Sequence, residues 1–270
     1  MFARLLGFIY GVLCYLIFFG TFLYAIGFVG GGNLYEPGKP LVVPRSIDIS
    51  PLGGSFIERL SIDIVLLALF AIQHSVMARP WFKKIWTKLV PPLLERSTYV
   101  LIASLLLLLL FWQWRPMGLA RVAWDVENQT GRIVLQLLFW SGWLIVLIST
   151  FLINHFDLFG LRQAYYFLRG KECPPPSFRT PLFYRAVRHP IMLGFMIAFW
   201  ATPRMTMGHL FFAVMTTIYM ILAIQFEERD LIRAHGDNYE QYRKRVSMLL
   251  PVKFGGGKDD EETEKAAKAQ

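Results

Sequence analysis

The chain has 270 residues, of which 55% are hydrophobic and only 17% charged, with a net charge of +9 and a mean hydropathy of +0.43. A soluble domain is nearer a quarter charged, so this composition excludes a water-soluble globule and predicts an all-α polytopic helical membrane protein with five to six transmembrane helices. The cations cluster beside apolar segments, where the positive-inside rule accounts for them, which removes the case for a nucleic-acid partner. Cys14 and Cys173 are too few and too far apart for a disulfide framework or a metal cluster, and no metal site is expected.

In chain order, apolar stretches long enough to span recur at about 5–29, 60–78, 98–114 and 133–153, and a last pair lies at about 191–202 and 209–226. The first stretch follows Arg4 without a small-residue cleavage site, so it is read as a retained helix, not a signal peptide. The member at 191–202 is short for a full crossing; it is tilted or begins in the interface. Loop 79–96 carries Arg79, Lys83, Lys84, Lys88 and Arg96 against Glu95. Loop 155–189 carries six arginines and lysines against Asp157 and Glu172. Both are expected in the cytoplasm, with 30–59 and 115–132 outside and both termini inside, as in a bacterial inner membrane. LRQAYYFLRG (161–170) suits a short helix lying on the membrane surface, stopped by Pro174, Pro175 and Pro176. The tail from Gly255 is charged and lacks apolar side chains, which predicts disorder. The expected organisation is an N-terminal helix and loop (1–59), central helices (60–154), a connector and core (155–254) and a tail (255–270).

Ionisable groups at membrane depth are costly and mark function by default. Four clusters stand out. In Arg188-His189-Pro190 the proline belongs in a first helical turn, so these residues form either an anion site at a helix N-terminus or a plain juxtamembrane arginine before a helix start. Glu227 and Glu228 sit in a helix that continues to His235 with Gly236 as its cap; they need a cation, from Arg188 or a ligand amine, or else form a solvated face with Arg229 and Arg233. Asn154-His155-Phe156-Asp157 ends the fourth span, with Asp157 expected to raise the basicity of His155 or the group merely closing a helix. Gln73 and His74 lie inside the second span, where a lone histidine hydrogen-bonds a neighbouring helix more often than it catalyses. Beyond these, Tyr239, Tyr242 and Val246 predict a short amphipathic helix whose arginines face lipid phosphates or a ligand.

The pattern Y-x3-RHP-x3-G, a helical hairpin, EE, then L-x4-G-x2-Y-x2-Y-x2-RV and a closing proline resembles the C-terminal core of the isoprenylcysteine carboxyl methyltransferase-like superfamily. Here it comprises Tyr184, Arg188-His189-Pro190, Gly194, Glu227-Glu228, Leu231, Gly236, Tyr239, Tyr242, Arg245-Val246 and Pro251. QHSVMARPWFKKIW (73–86), ERSTYVLIASLLLLLLFWQW (95–114) and STFLINHFDLFGLRQAYYFLRG (149–170) are similar to bacterial methanethiol S-methyltransferases, extending the resemblance over most of 60–251.

The resemblance implies S-adenosylmethionine as cofactor, bound in a cytoplasm-facing pocket of the C-terminal core. It places Phe178 and Arg179 in the pocket lining and Tyr184, His189, Pro190 and Glu227 in contact with the cofactor. Arg188 with His189 suits the carboxylate of the cofactor, Glu227 or Glu228 its ammonium or ribose, and the aromatic faces its sulfonium. No glycine-rich loop follows a strand, so a Rossmann-type methyltransferase is not expected. Where the prenylcysteine enzymes carry a substrate-contacting arginine one turn before the glutamates, this chain has Ala223. The implied acceptor is a small thiol, methanethiol, with His155 oriented by Asp157 as first candidate base and His189 as second. Methylation of a lipid or protein C-terminus, a nicotinamide-dependent reductase, and an accessory protein of nitrogen-oxide respiration sharing QHS-x-MAR are the competing readings.

Overall fold

The computed structural model describes residues 1–31, 43–117, 122–174 and 180–251. Its elements run α1 (Phe2–Val29), α2 (Phe56–Ala78), α3 (Pro80–Trp86), α4 (Pro92–Gln113), β1 (Val122–Asp125), α5 (Gln129–Ile153), α6 (His155–Leu158), α7 (Leu161–Arg169), α8 (Phe183–Ala186), α9 (Pro190–Trp200), β2 (Arg204–Thr206), α10 (Met207–His235) and α11 (Asp237–Arg245). Among the described residues five helices, α1, α2, α4, α5 and α10, are long and apolar enough to cross a membrane. The chain is an all-α polytopic membrane protein.

Local chemistry sets the helix starts. Ser55 accepts from the Glu58 amide at 3.3 Å, Asn128 from Gly131 at 2.6 Å and Thr206 from His209 at 3.1 Å, each satisfying a backbone donor that the first turn leaves open. Proline occupies the first turn of α3, α4 and α9. At Gly236, φ is +53°, a left-handed bend that separates α10 from α11.

The segment expected at 191–202 is helical as far as Trp200 but too short to cross. Its helix α9 has 11 residues, about 16 Å of rise against a hydrocarbon core of about 30 Å. The chain then extends through Ala201–Thr206, and β2 pairs antiparallel with β1. This two-stranded ribbon was not expected. It explains how an extended stretch is tolerated beside apolar helices, because its polar backbone is bonded: Trp124 Nε1 donates to the Thr202 carbonyl at 3.0 Å and the Val126 amide to the Pro203 carbonyl at 2.9 Å.

α9 lies antiparallel on α5, and glycine permits the approach. A methyl on Gly142 would stand 2.6 Å from the Ala198 nitrogen, and one on Gly194 would stand 2.7 Å from the Gly142 carbonyl oxygen. Gly142 faces Ala198 and Gly194 faces Val146; the same register carries Thr150 to the level of Pro190.

The helix at 161–169 departs from expectation in its placement. It does not lie across the bundle on the membrane surface. It runs antiparallel alongside α1, with Gly170 against Arg4, Phe167 against Gly7 and Ala164 against Gly11. Gly7 and Gly11 form a small-xxx-small groove, and Ala164 is wholly buried in it. Away from this end, Phe28, Trp114, Phe139, Trp143 and Phe212 form an aromatic core joining α1, α4, α5 and α10. Pro175 and Pro176, and the tail expected to be disordered, lie outside the described residues.

Candidate active site

The start of α9 is bound to the end of the chain. Val187 bridges Ser247 in parallel, the Arg188 amide donates to the Ser247 carbonyl at 2.9 Å, and the His189 amide to that of Met248 at 3.2 Å. Tyr242 donates its hydroxyl to the Tyr184 carbonyl at 2.6 Å. These bonds hold 184–190, α10 and α11 as one unit, and Glu228 occupies its centre. Its Oε1 accepts from Arg188 Nε at 2.7 Å and lies 3.1 Å from His189 Nε2, while its Oε2 lies 3.3 Å from Arg243 Nε. Arg188 Nη1 donates to the carbonyls of Arg243 and Val246.

Burial divides the two glutamates. Glu228 is 3% exposed, whereas the Glu227 side chain is 48% exposed, with Oε2 at 3.7 Å from His189 Nδ1. Successive helical residues point about 100° apart, so only one of an adjacent pair can face inward. The Arg188 side chain is 9% exposed and engaged by a carboxylate and two carbonyls, whereas Arg243 is 50% exposed. The clasp therefore presents one cation, Arg243, and one carboxylate, Glu227, outward from a buried ionic base. An open depression of about 370 Å³ lined by Glu240, Arg243 and Lys244 adjoins it. The phenols around it are held neutral: burial pushes Tyr242 up to about 12, and burial, reinforced by Glu227, pushes Tyr184 up further.

Of the residues singled out in the sequence, Tyr184, Arg188, His189, Pro190, Glu227 and Glu228 come together here. Phe178 and Arg179 lie outside the described residues. Arg243 belongs to the group although no local motif isolates it; it follows the Gly236 break, and only the fold returns it to Glu228.

His155 is placed differently from the expected His155–Asp157 pair. Asp157 Oδ1 accepts from Arg162 at 2.9 Å and from Gln163 at 3.2 Å, and His155 is held instead by Tyr15 and Thr150, each at 2.9 Å. Residues two apart on a helical turn do not face each other, so Asp157 does not orient the ring. Nor is the imidazole more basic: burial pushes its pKa below the ordinary value, and Phe151 stacks on it at 4.3 Å. His74 is tied to Tyr99 of α4 at 3.0 Å and stacks on Phe70, the inter-helix bonding expected of a lone intramembrane histidine. Its neighbours do similar work: Ser75 meets Tyr219 at 3.1 Å and Arg79 meets Asp230 at 2.6 Å.

No family model and no solved structure matches the chain. Curated relatives do. The chain is 55% identical over 251 residues to a methanethiol S-methyltransferase of Mycobacterium tuberculosis, covering 92% of this chain and 97% of that one. It is 55% identical over 248 residues to methanethiol S-methyltransferase 1 of Bradyrhizobium diazoefficiens, with 92% and 83% covered. It is 52% identical over 243 residues to the corresponding protein of Crocosphaera subtropica, with 90% and 91% covered.

Proposed function

The chain belongs to the methanethiol S-methyltransferase family, and we propose that it methylates methanethiol to dimethyl sulfide with S-adenosylmethionine as donor. The observation that supports this donor is the outward pair on the clasp. The amino-acid end of S-adenosylmethionine is a zwitterion, and Arg243 and Glu227, joined through buried Glu228 and His189, offer one partner for each of its charges. When bound, the cofactor supplies a methyl group activated by a sulfonium. Tyr184, His189 and Pro190 form the adjoining wall in this proposal, with Phe178 and Arg179 continuing it. Arg188 organises the site by holding Glu228 and the C-terminal carbonyls.

The acceptor side is apolar. Ala223 stands in α10 one turn before the glutamates, so no cation awaits an acceptor carboxylate there, which favours a small neutral thiol. Such a thiol enters through lipid. Holding its sulfur in line with the methyl group supplies much of the rate, a proximity effect of up to several kcal/mol. His155 is the proposed base, since a thiolate attacks faster than a thiol. The Lys/Arg-rich loops support a cytoplasmic position for this machinery and both termini, in a bacterial inner membrane.

The test is direct. Purified protein given methyl-labelled S-adenosylmethionine and methanethiol is expected to release labelled dimethyl sulfide. Label recovered in lipid or on protein, with none in the volatile product, overturns the proposal.

A further inference from the structure

His155 is bonded through both ring nitrogens. Thr150 Oγ1 lies 2.7 Å from the Leu147 carbonyl and 2.9 Å from His155 Nδ1. In the tautomer with the threonine hydroxyl proton on that carbonyl, Thr150 accepts from Nδ1–H and Nε2 is left as the acceptor. The partner of Nε2 is the hydroxyl of Tyr15, on α1, at 2.9 Å. The Tyr15 O–H thus points at the basic nitrogen, and its oxygen lone pairs remain available on the other side.

The surroundings restrict the route to that nitrogen. His155 is 5% exposed, packed by Phe151, Phe156 and Phe159. Tyr15 is only partly buried. Of the two partners Tyr15 is the less buried, and so the one more open to a thiol arriving through lipid. The α5–α9 register puts Thr150 level with Pro190, the residue after His189 of the clasp.

We propose that Tyr15 is the residue that contacts the acceptor thiol and passes its proton to His155. This rests on the thiol-methylation function proposed above. In the step, the thiol S–H bond breaks and its proton goes to the Tyr15 oxygen as the Tyr15 proton moves to His155 Nε2. The sulfur electron pair forms the new S–C bond to the sulfonium methyl donor, whose own S–C bond breaks with its electron pair staying on the departing thioether. His155 then releases one proton to water, so each turnover yields one proton. Thr150 is a positioning residue that holds the tautomer.

The experiment compares Tyr15→Phe with the unaltered protein across thiols of falling pKa, alongside calorimetric titration of S-adenosylmethionine. With methanethiol, kcat/KM is expected to fall by about 100-fold, the ordinary range for loss of a proton-transfer group. With an acidic aromatic thiol already ionised at the assay pH the fall should be under about threefold, and affinity for the donor should be unchanged. Thr150→Val, which removes the acceptor for Nδ1–H while keeping the shape, should give a smaller loss, about tenfold, with the same dependence on thiol acidity; it carries the test if Tyr15→Phe does not fold. An equal loss with every thiol, or no loss with methanethiol, overturns the relay. A wild-type protein that binds no S-adenosylmethionine and methylates no thiol overturns the proposed function itself, an outcome separable from either of these.

Discussion

Glu228 and Glu227 are neighbours in sequence with opposite fates, and substitution should separate them. Glu228→Gln leaves the buried Arg188 guanidinium without its counter-charge, a loss of about 3–5 kcal/mol in comparable buried pairs. Thermal unfolding in detergent should show a large drop. Glu227→Gln removes a half-exposed carboxylate and should change stability by less than about 0.5 kcal/mol. Its effect should fall on the donor, whose affinity drops about tenfold by calorimetry if one charge-assisted contact of about 1.4 kcal/mol is lost. Equal effects of the two substitutions on stability would contradict the division of roles. Both carboxylates were visible in the sequence as groups needing a cation, and Arg188 was named as a candidate. Which one faces inward depends on helix rotation relative to α9 and α11, which no local pattern encodes. Arg243 was legible only as one arginine of a short helix facing lipid phosphates or a ligand; its pairing with Glu228 was not, since a glycine break lies between the two. Tyr15 was hidden because a tyrosine among phenylalanines in an apolar run reads as a membrane-facing aromatic.

At the scale of elements, glycine decides which helices touch. Gly194 was expected as part of a family motif, and the structure supplies its physical cause: a methyl there would stand 2.7 Å from the Gly142 carbonyl oxygen and 3.0 Å from the Val146 nitrogen. These are backbone atoms that cannot rotate away. Gly194→Ala should cost about 1–3 kcal/mol through overpacking, lowering Tm by roughly 3–10 °C for a chain of this size. Gly20 on α1 has nothing within 4 Å of such a methyl, and Gly20→Ala should cause no loss. If both alanines are equally harmless, α9 does not pack on α5 as described. The long helices were legible because apolar runs of spanning length have few other fates. The shortness of α9 was legible in the length of its apolar run; the β1–β2 ribbon was not, because the extended stretch is stabilised by bonds to a distant loop and not by its own residues. The direction of α7 was misjudged from its amphipathic pattern. Its apolar side is real, but the groove of Gly7 and Gly11 covers it, where lipid was expected to.

For the whole molecule the open quantity is sidedness, and the two cysteines make the unaltered chain its own reporter. Cys14 is buried in the bundle, whereas Cys173 lies half-exposed just after α7, in the basic connector proposed to face the cytoplasm. A membrane-impermeant maleimide should therefore label inside-out vesicles at one thiol per chain and leave right-side-out spheroplasts unlabelled. Cys173→Ser should abolish the signal. The reaction should also carry a pH signature. Burial pushes the Cys173 thiol above its ordinary value, with Arg162 opposing and Asp157 adding to the shift. Because the thiolate is the reactive form, labelling should be slow at neutral pH and accelerate about tenfold per unit as pH rises towards the thiol pKa. Labelling confined to right-side-out membranes would invert every loop, putting the Arg188–Glu228 clasp on the face that cytoplasmic S-adenosylmethionine cannot reach, and the proposed donor would fail with the topology.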